Sequence, residues 1–228
     1  MDAVTTATLA RLAVFASGGG SNLQAILDHL DALGAAAPAA PVLVLSDRSD
    51  AGALDRARAR GVAVEVVPRD RPEGIAAALA RHDVTHIALA GFLRLVPEEV
   101  TRAFRGRIVN VHPALLPAFG GPGMYGTRVH EAVLRSGARV TGPTVHFVDA
   151  RYDEGAIIAQ HPVPVRSDDT AVTLAARVLA AEHALYPRCV AAVAAGEVSL
   201  GADGRVRGTA AFDFDRAAPA GRQTVPAG

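Results

Sequence analysis

Up to Asn110, short apolar runs alternate with segments of helical spacing. Residues 12–16 form an unbroken apolar run. Residues 22–33 follow, with Leu23, Ile26, Leu27 and Leu30 spaced to share one helical face. The alternation continues with predicted strands at 42–45, 62–67, 86–90 and 107–111, and predicted helices at 51–60, 73–81 and 97–104. These strands read as continuous apolar runs rather than alternating ones. Such strands are buried on both faces, and helices between them supply the cover. The pattern predicts an α/β fold, a doubly wound and mainly parallel sheet of Rossmann-like type with helices on both faces.

Beyond Asn110 the pattern changes. Residues 119–126, Phe-Gly-Gly-Pro-Gly-Met-Tyr-Gly, are too irregular for helix or strand and are expected to form a loop. A helix is predicted over 128–136. Two strands, 140–148 and 156–165, are expected to pair around the turn at Asp153-Glu154-Gly155, and a long helix over 171–195 closes the fold. The expected organisation is an N-terminal extension (1–10), one domain (11–208), and a flexible tail (209–228) rich in Ala, Gly, Pro, Arg and Asp.

Composition narrows the chemistry. A chain of 228 residues can bury one sizeable core. Basic and acidic residues number 23 each, so there is no electrostatic case for nucleic acid or an anionic membrane as partner. Every basic residue is Arg; with no Lys, Schiff-base catalysis and a phosphate-loop lysine are excluded. The lone Cys189 lies in an apolar helical stretch, where a packed thiol is the simpler reading than a nucleophile. No apolar run of about 18 residues occurs, and the first eight residues lack a basic segment, so a cytoplasmic protein is expected. Metal-ligand spacings such as His-x-x-x-His and Cys-x-x-Cys are absent, so no metal is expected. Gly-x-Ser-x-Gly is absent as well, which weakens a serine hydrolase reading.

Three constellations remain. Ser17-Gly18-Gly19-Gly20-Ser21-Asn22 joins the first strand to the first helix. Glycines there allow a tight turn with N–H groups aimed inward at a helix N-terminus, which suits a phosphate; a plain turn capped by Ser21 or Asn22 is the alternative. Asn110 and His112 sit two apart at a strand end and so share a face, with Pro113 ending the strand. That pair suits carbonyl polarisation and proton transfer, or is a merely solvated strand end. Third, residues 146–155 place Asp153 in a loop after a strand that carries His146. A carboxylate beside an imidazole raises its pKa and fixes its tautomer, whereas Asp153 before Gly155 also fits a simple turn. Of the other histidines, His29, His82 and His130 lie on polar helices and are expected at the surface, and His86 and His161 beside strands.

In this order the constellations resemble the folate-dependent formyltransferases, and among them the glycinamide ribonucleotide transformylases. The resemblance runs from about residue 12 to 208. It includes Ser17 to Gln24, Leu89 to Leu95, Asn110 to Pro117, Thr144 to Val148, Asp153 to Gln160 and Glu182 to Pro187. It implies transfer of the formyl group of 10-formyltetrahydrofolate, a consumed co-substrate rather than a resident cofactor, to the amine of glycinamide ribonucleotide in purine synthesis. It implies Asn110, His112 and Asp153 as the catalytic set. Gly18, Gly19, Gly20, Ser21, Asn22 and Glu182 are implied to hold the ribonucleotide. Arg71 lies near a family phosphate ligand, in a stretch that does not align cleanly. Leu93, Arg94, Leu95 and Val96, with Asn110 and the loop Asp149, Ala150, Arg151, Tyr152 and Asp153, are implied to hold the folate. The expected partners are small molecules, in a monomer or homodimer. Two departures stand out: the loop 119–126 is Gly-rich where some relatives have a shorter Pro-Gly turn, and Pro122 stands where related loops often carry Lys. Methionyl-tRNA formyltransferase, with its extra C-terminal domain, and formyltetrahydrofolate hydrolase, with its added N-terminal domain, are not expected, since the tail and the stretch before the first strand are each too short for a domain of ordinary size. A binding-only module is expected to lose one of the catalytic trio, and all three are present.

Overall fold

The computed structural model describes residues 9–212. The apolar runs become strands β1 (Ala10–Phe15), β2 (Ala39–Ser46), β3 (Ala63–Val66), β4 (His86–Leu89) and β5 (Ile108–His112). Between them lie helices α1 (Ser21–Leu33), α2 (Gly52–Ala59), α3 (Gly74–Arg81) and α4 (Glu98–Ala103). After β5 come α5 (Thr127–Ser136), β6 (Val140–Thr141), β7 (Thr144–Phe147), β8 (Ile157–Gln160), β9 (Val163–Pro164), α6 (Ala171–Ala194), β10 (Ser199–Leu200) and β11 (Val206–Arg207).

Seven strands form one sheet in the order β3-β2-β1-β4-β5-β7-β8. The first five are parallel; β7 runs antiparallel to β5, and β8 antiparallel to β7. Alternate residues of each strand feed opposite faces. Leu12 and Val14 pack with Leu23, Ile26 and Leu27 of α1 and Tyr186 and Val190 of α6. Ala13 and Phe15 pack on the other side with Ile75 and Leu79 of α3 and Val100 of α4. Both faces being apolar is why the interior strands carry little polar alternation, whereas the edge strand β3 is partly exposed and carries Glu65.

The chain builds β1, β2 and β3 outward, then returns to place β4 on the other side of β1. That reversal leaves a crevice beyond the carboxyl ends of β1 and β4, where ligands bind in open α/β sheets. Helix α6 braces this edge. Thr170 caps it reciprocally with Thr173, and the buried Tyr186 hydroxyl lies 2.9 Å from the Leu89 carbonyl and 3.1 Å from that of Val109. Cys189 is fully buried, and burial pushes its thiol pKa up to about 12, so it is a packed core group.

The structure corrects the two long strands expected late in the chain. The 140–148 run breaks at Gly142-Pro143 into β6 and β7, and the 156–165 run breaks at His161-Pro162 into β8 and β9. At Gly142 the His161 carbonyl approaches so closely that a Cβ would lie 1.8 Å from its oxygen, and neither Pro can donate to a ladder. The outer pieces pair as a separate two-stranded sheet, β6 with β9. The hairpin of β10 and β11 was not foreseen. Of the tail expected from Thr209, residues Thr209–Phe212 form a 3-10 turn that Arg188 meets through the Ala211 carbonyl (3.3 Å) and the Phe212 ring. The rest of that tail, and residues 1–8 of the expected extension, lie outside the described residues.

Candidate active site

Asn110 and His112 leave β5 on the same face, as their spacing requires. Antiparallel pairing sets His146 of β7 directly opposite Asn110. Residues opposite one another in an antiparallel pair share a face, so His146 joins them. His146 Nδ1 lies 2.8 Å from the Phe147 carbonyl, to which it donates. Its Nε2 meets the Asn110 amide nitrogen at 3.1 Å. This fixes the amide plane of Asn110.

The loop between β7 and β8 folds back so that Asp153 reaches both histidines. Its Oδ2 lies 3.4 Å from His112 Nδ1 and its Oδ1 3.7 Å from His146 Nε2. The Gly121 N–H donates to Oδ2 at 2.9 Å. Burial alone raises the Asp153 pKa; His146, His112 and this N–H outweigh it and hold the carboxyl below its usual range. Asp153 is therefore an anion.

His112 is buried, and both ring nitrogens face acceptors: Asp153 at Nδ1 and the Phe119 carbonyl at Nε2, 2.8 Å away. Two acceptors suit the doubly protonated ring. Burial opposes this and leaves the His112 pKa below 6.5, with Asp153 and the Phe119 carbonyl pulling upward and the neighbouring His146 downward. The result is an imidazole whose proton is easily given up and easily regained.

These groups line a cavity of about 560 Å³ at the crevice. Val96, Leu93, Arg94 and Leu95 wall it after β4; Gly121 to Gly126 wall it after β5; Arg151, Tyr152 and Asp153 close one side. Leu93, Leu95, Tyr125 and Tyr152 stand exposed at its mouth. The Leu93 N–H donates to Ser17 Oγ at 3.1 Å, which ties the segment after β4 to the end of β1. Arg94 turns its guanidinium away onto the carbonyls of Val67, Pro68 and Arg69 (3.1–3.3 Å), so its backbone is what faces the cavity. At the far end Asn22 donates to Glu182 at 2.6 Å. Burial pushes the Glu182 carboxyl up to about 7, with the Asn22 bond pulling it down.

The expected residues thus fall into groups. Asn110, His112 and Asp153 meet, and Asn22, Glu182, Leu93 to Val96, Arg151 and Tyr152 share their cavity. Gly18, Gly19, Gly20 and Ser21 form the turn from β1 into α1 directly behind Asn22. Asp149 and Ala150 lie on the closing loop but do not line the cavity; Asp149 bonds the Arg151 N–H at 2.8 Å. Arg71 stands exposed on the turn after β3, outside the cavity lining and without a side-chain partner among the described residues.

His130 is a correction. Expected at the surface, it is buried on the inner face of α5, lines the cavity, and leaves Nδ1 unpartnered; burial and His112 lower its pKa. Its signal was the apolar spacing with Val129 and Val133 on the same helix. His29 and His82 are half-buried rather than exposed, and His82 pairs with Glu65 at 2.9 Å. His146 was noted only as a neighbour of Asp153; the strand register makes it a member of the site. Among the described residues no group of three or more His, Cys, Asp and Glu is arranged to hold a metal ion.

Residues 10–190 match the formyl transferase family, and the chain belongs to it. Among its relatives is the chloroplastic phosphoribosylglycinamide formyltransferase of Arabidopsis thaliana, 44% identical over 85% of this chain and 68% of that one. The trifunctional purine biosynthetic protein adenosine-3 of Bos taurus is 39% identical over 86% of this chain and 20% of its own length. The crystal structure of glycinamide ribonucleotide transformylase 1 from Symbiobacterium toebii is similar with a TM-score of 0.79 and 40% identity, over 87% of this chain and 93% of that one.

Proposed function

We propose that this chain is a phosphoribosylglycinamide formyltransferase, passing a formyl group from 10-formyltetrahydrofolate to the amine of glycinamide ribonucleotide in purine synthesis. The observation that carries this reading is the meeting of Asn110, His112 and Asp153 in the cavity of a chain of this family.

The amine nitrogen attacks the formyl carbon and a C–N bond forms. The carbonyl electron pair moves to oxygen, giving a tetrahedral oxyanion. The Asn110 amide, held in plane by His146, has an N–H to donate to that oxygen. The His112 imidazolium donates beside it, its Nε2–H exchanging the Phe119 carbonyl for the oxyanion. The charge of Asp153 steadies that imidazolium. The oxyanion's electron pair then re-forms the carbonyl as the bond from the formyl carbon to the folate nitrogen breaks. That nitrogen takes the His112 imidazolium's proton, directly or through water. The imidazole so formed takes the proton that the attacking amine nitrogen sheds, so protons balance and no redox change occurs. Products are the formylated amide and tetrahydrofolate. No metal or resident cofactor enters these steps.

The exposed apolar rim of Leu93, Leu95 and Tyr152 suits a flat heterocycle, and the backbone of 93–96 suits its polar edge. The glycine turn at α1 suits the ribonucleotide phosphate, with Glu182 accepting from its hydroxyls. All the groups named come from one chain, so a monomer or a homodimer serves equally. The reduced, buried Cys189 fits a cytoplasmic setting.

The test is to mix purified protein with 10-formyltetrahydrofolate, with and without glycinamide ribonucleotide, and to follow loss of the formyl-folate by absorbance. Consumption that requires the ribonucleotide supports this reading. Consumption without it would mean hydrolysis, and none at all would reject catalysis on this donor.

A further inference from the structure

The family resemblance offered Arg71, in a stretch that does not align cleanly, for the substrate phosphate. The structure leaves Arg71 exposed and without a side-chain partner among the described residues, while a different arginine grips the glycine loop. Arg56 of α2 donates from Nε to the Gly19 carbonyl at 2.7 Å. From Nη1 it bonds Gln24 Oε1 of α1 at 3.2 Å, and Gln24 in turn bonds Asp28 at 2.9 Å. One residue earlier, the Gly18 carbonyl accepts from the Ala53 N–H at the start of α2, at 3.1 Å. Two successive carbonyls of the loop are thus drawn toward α2.

In a trans peptide the carbonyl of one residue and the N–H of the next point in opposite directions. Fixing the Gly18 and Gly19 carbonyls on α2 therefore turns the Gly19 and Gly20 N–H groups away from it. Gly20, at φ +76°, then starts α1, whose N-cap makes no side-chain bond and whose first turn carries no acidic residue. The loop is left with donors that no acidic side chain of α1's own first turn engages, and α2 lies close behind it, a Cβ on Gly20 meeting Ala53 at 2.8 Å. We infer that Arg56 is a positioning residue for the phosphate of the ribonucleotide: it sets the Gly19–Gly20 peptide so that its N–H serves the anion, and adds a positive charge behind the loop. This rests on the function proposed above.

The test is steady-state kinetics of Arg56→Gln and Arg56→Lys, with glycinamide ribonucleotide and with the same molecule lacking its phosphate, glycinamide riboside. In Arg56→Gln, KM for the ribonucleotide is expected to rise about tenfold or more, with kcat and the folate KM within about threefold of wild type. Arg56→Lys keeps the charge and one donor and should recover part of the loss. The riboside should be turned over equally by all three proteins, because a residue that acts through the phosphate has nothing to act on. An unchanged KM for the ribonucleotide, or an equal loss on the riboside, would overturn the inference and leave the formyl transfer intact. A wild-type protein that does not use the ribonucleotide rejects the function itself, and this inference with it.

Discussion

At the scale of single residues the site is a set of opposed pulls on protons. His112 is pressed toward neutrality by burial and toward protonation by Asp153 and the Phe119 carbonyl. Replacing Asp153 by Asn keeps the shape and removes the charge. The His112 pKa is expected to fall further, read by NMR titration of its ring protons, and turnover to drop by about 10² or more. A His112 pKa that stays put or rises would show that the carboxylate does not govern it. Glu182 is the reverse case, a carboxyl raised by burial from 4.5 to about 7. A raised carboxyl binds its proton more tightly folded than unfolded, so its stabilising effect is complete below about pH 4.5 and lost as pH rises through about 7. Relative to Glu182→Gln, the unliganded wild type should therefore lose stability across that window, by about 3 kcal/mol at most, in urea melts at successive pH values. A difference independent of pH would mean that Glu182 titrates normally. Asn110 and His112 were legible in the sequence because strand alternation alone puts them on one face. Asp153 was legible as a candidate only, since a loop residue 41 positions after His112 has no periodicity that says where it lands. His130 was misread because its helix looks polar along the sequence, while the side facing the cavity is narrow and follows Val129 and Val133.

At the scale of elements, the apolar runs marked the interior parallel strands because burial on both faces leaves little room for polar residues, while the edge strand β3, partly exposed, carries Glu65 and was still read from its Val residues. The strands after β5 were drawn too long. Strand-forming residues resume on the far side of Gly142-Pro143 and of His161-Pro162, and the missing ladder donors and the close approach at Gly142 break the pairing. The turn between β1 and α1 shows the same dependence on backbone. Gly20 takes φ +76°, and a Cβ there would lie 2.8 Å from the Cα and Cβ of Ala53 in α2. Gly20→Ala is accordingly expected to destabilise the protein by about 2–3 kcal/mol in chemical denaturation, and to raise KM for the ribonucleotide more than that for the folate. Wild-type stability in that variant would mean that α1 and α2 separate freely, against the contacts seen here.

At the scale of the whole molecule, the fold gathers distant segments onto one crevice. Residues following β1, β4 and β5 reach it because parallel strands share their carboxyl ends, and the antiparallel pair β7 and β8 returns a loop across it. The formyl donor and the ribonucleotide are each assigned an end of the cavity, with Asn110, His112 and Asp153 between. The most direct test of this assignment is single-turnover formyl transfer by the wild type, Asn110→Ala and His112→Ala, with the affinity of both ligands measured on the same proteins. Ligand affinities within a few-fold of wild type, with the chemical step slowed about 10²–10³ in each variant, are the expected result. A chemical step as fast as wild type in either variant, or a loss explained wholly by weaker binding, would contradict the assignment of these two residues to the reacting carbonyl.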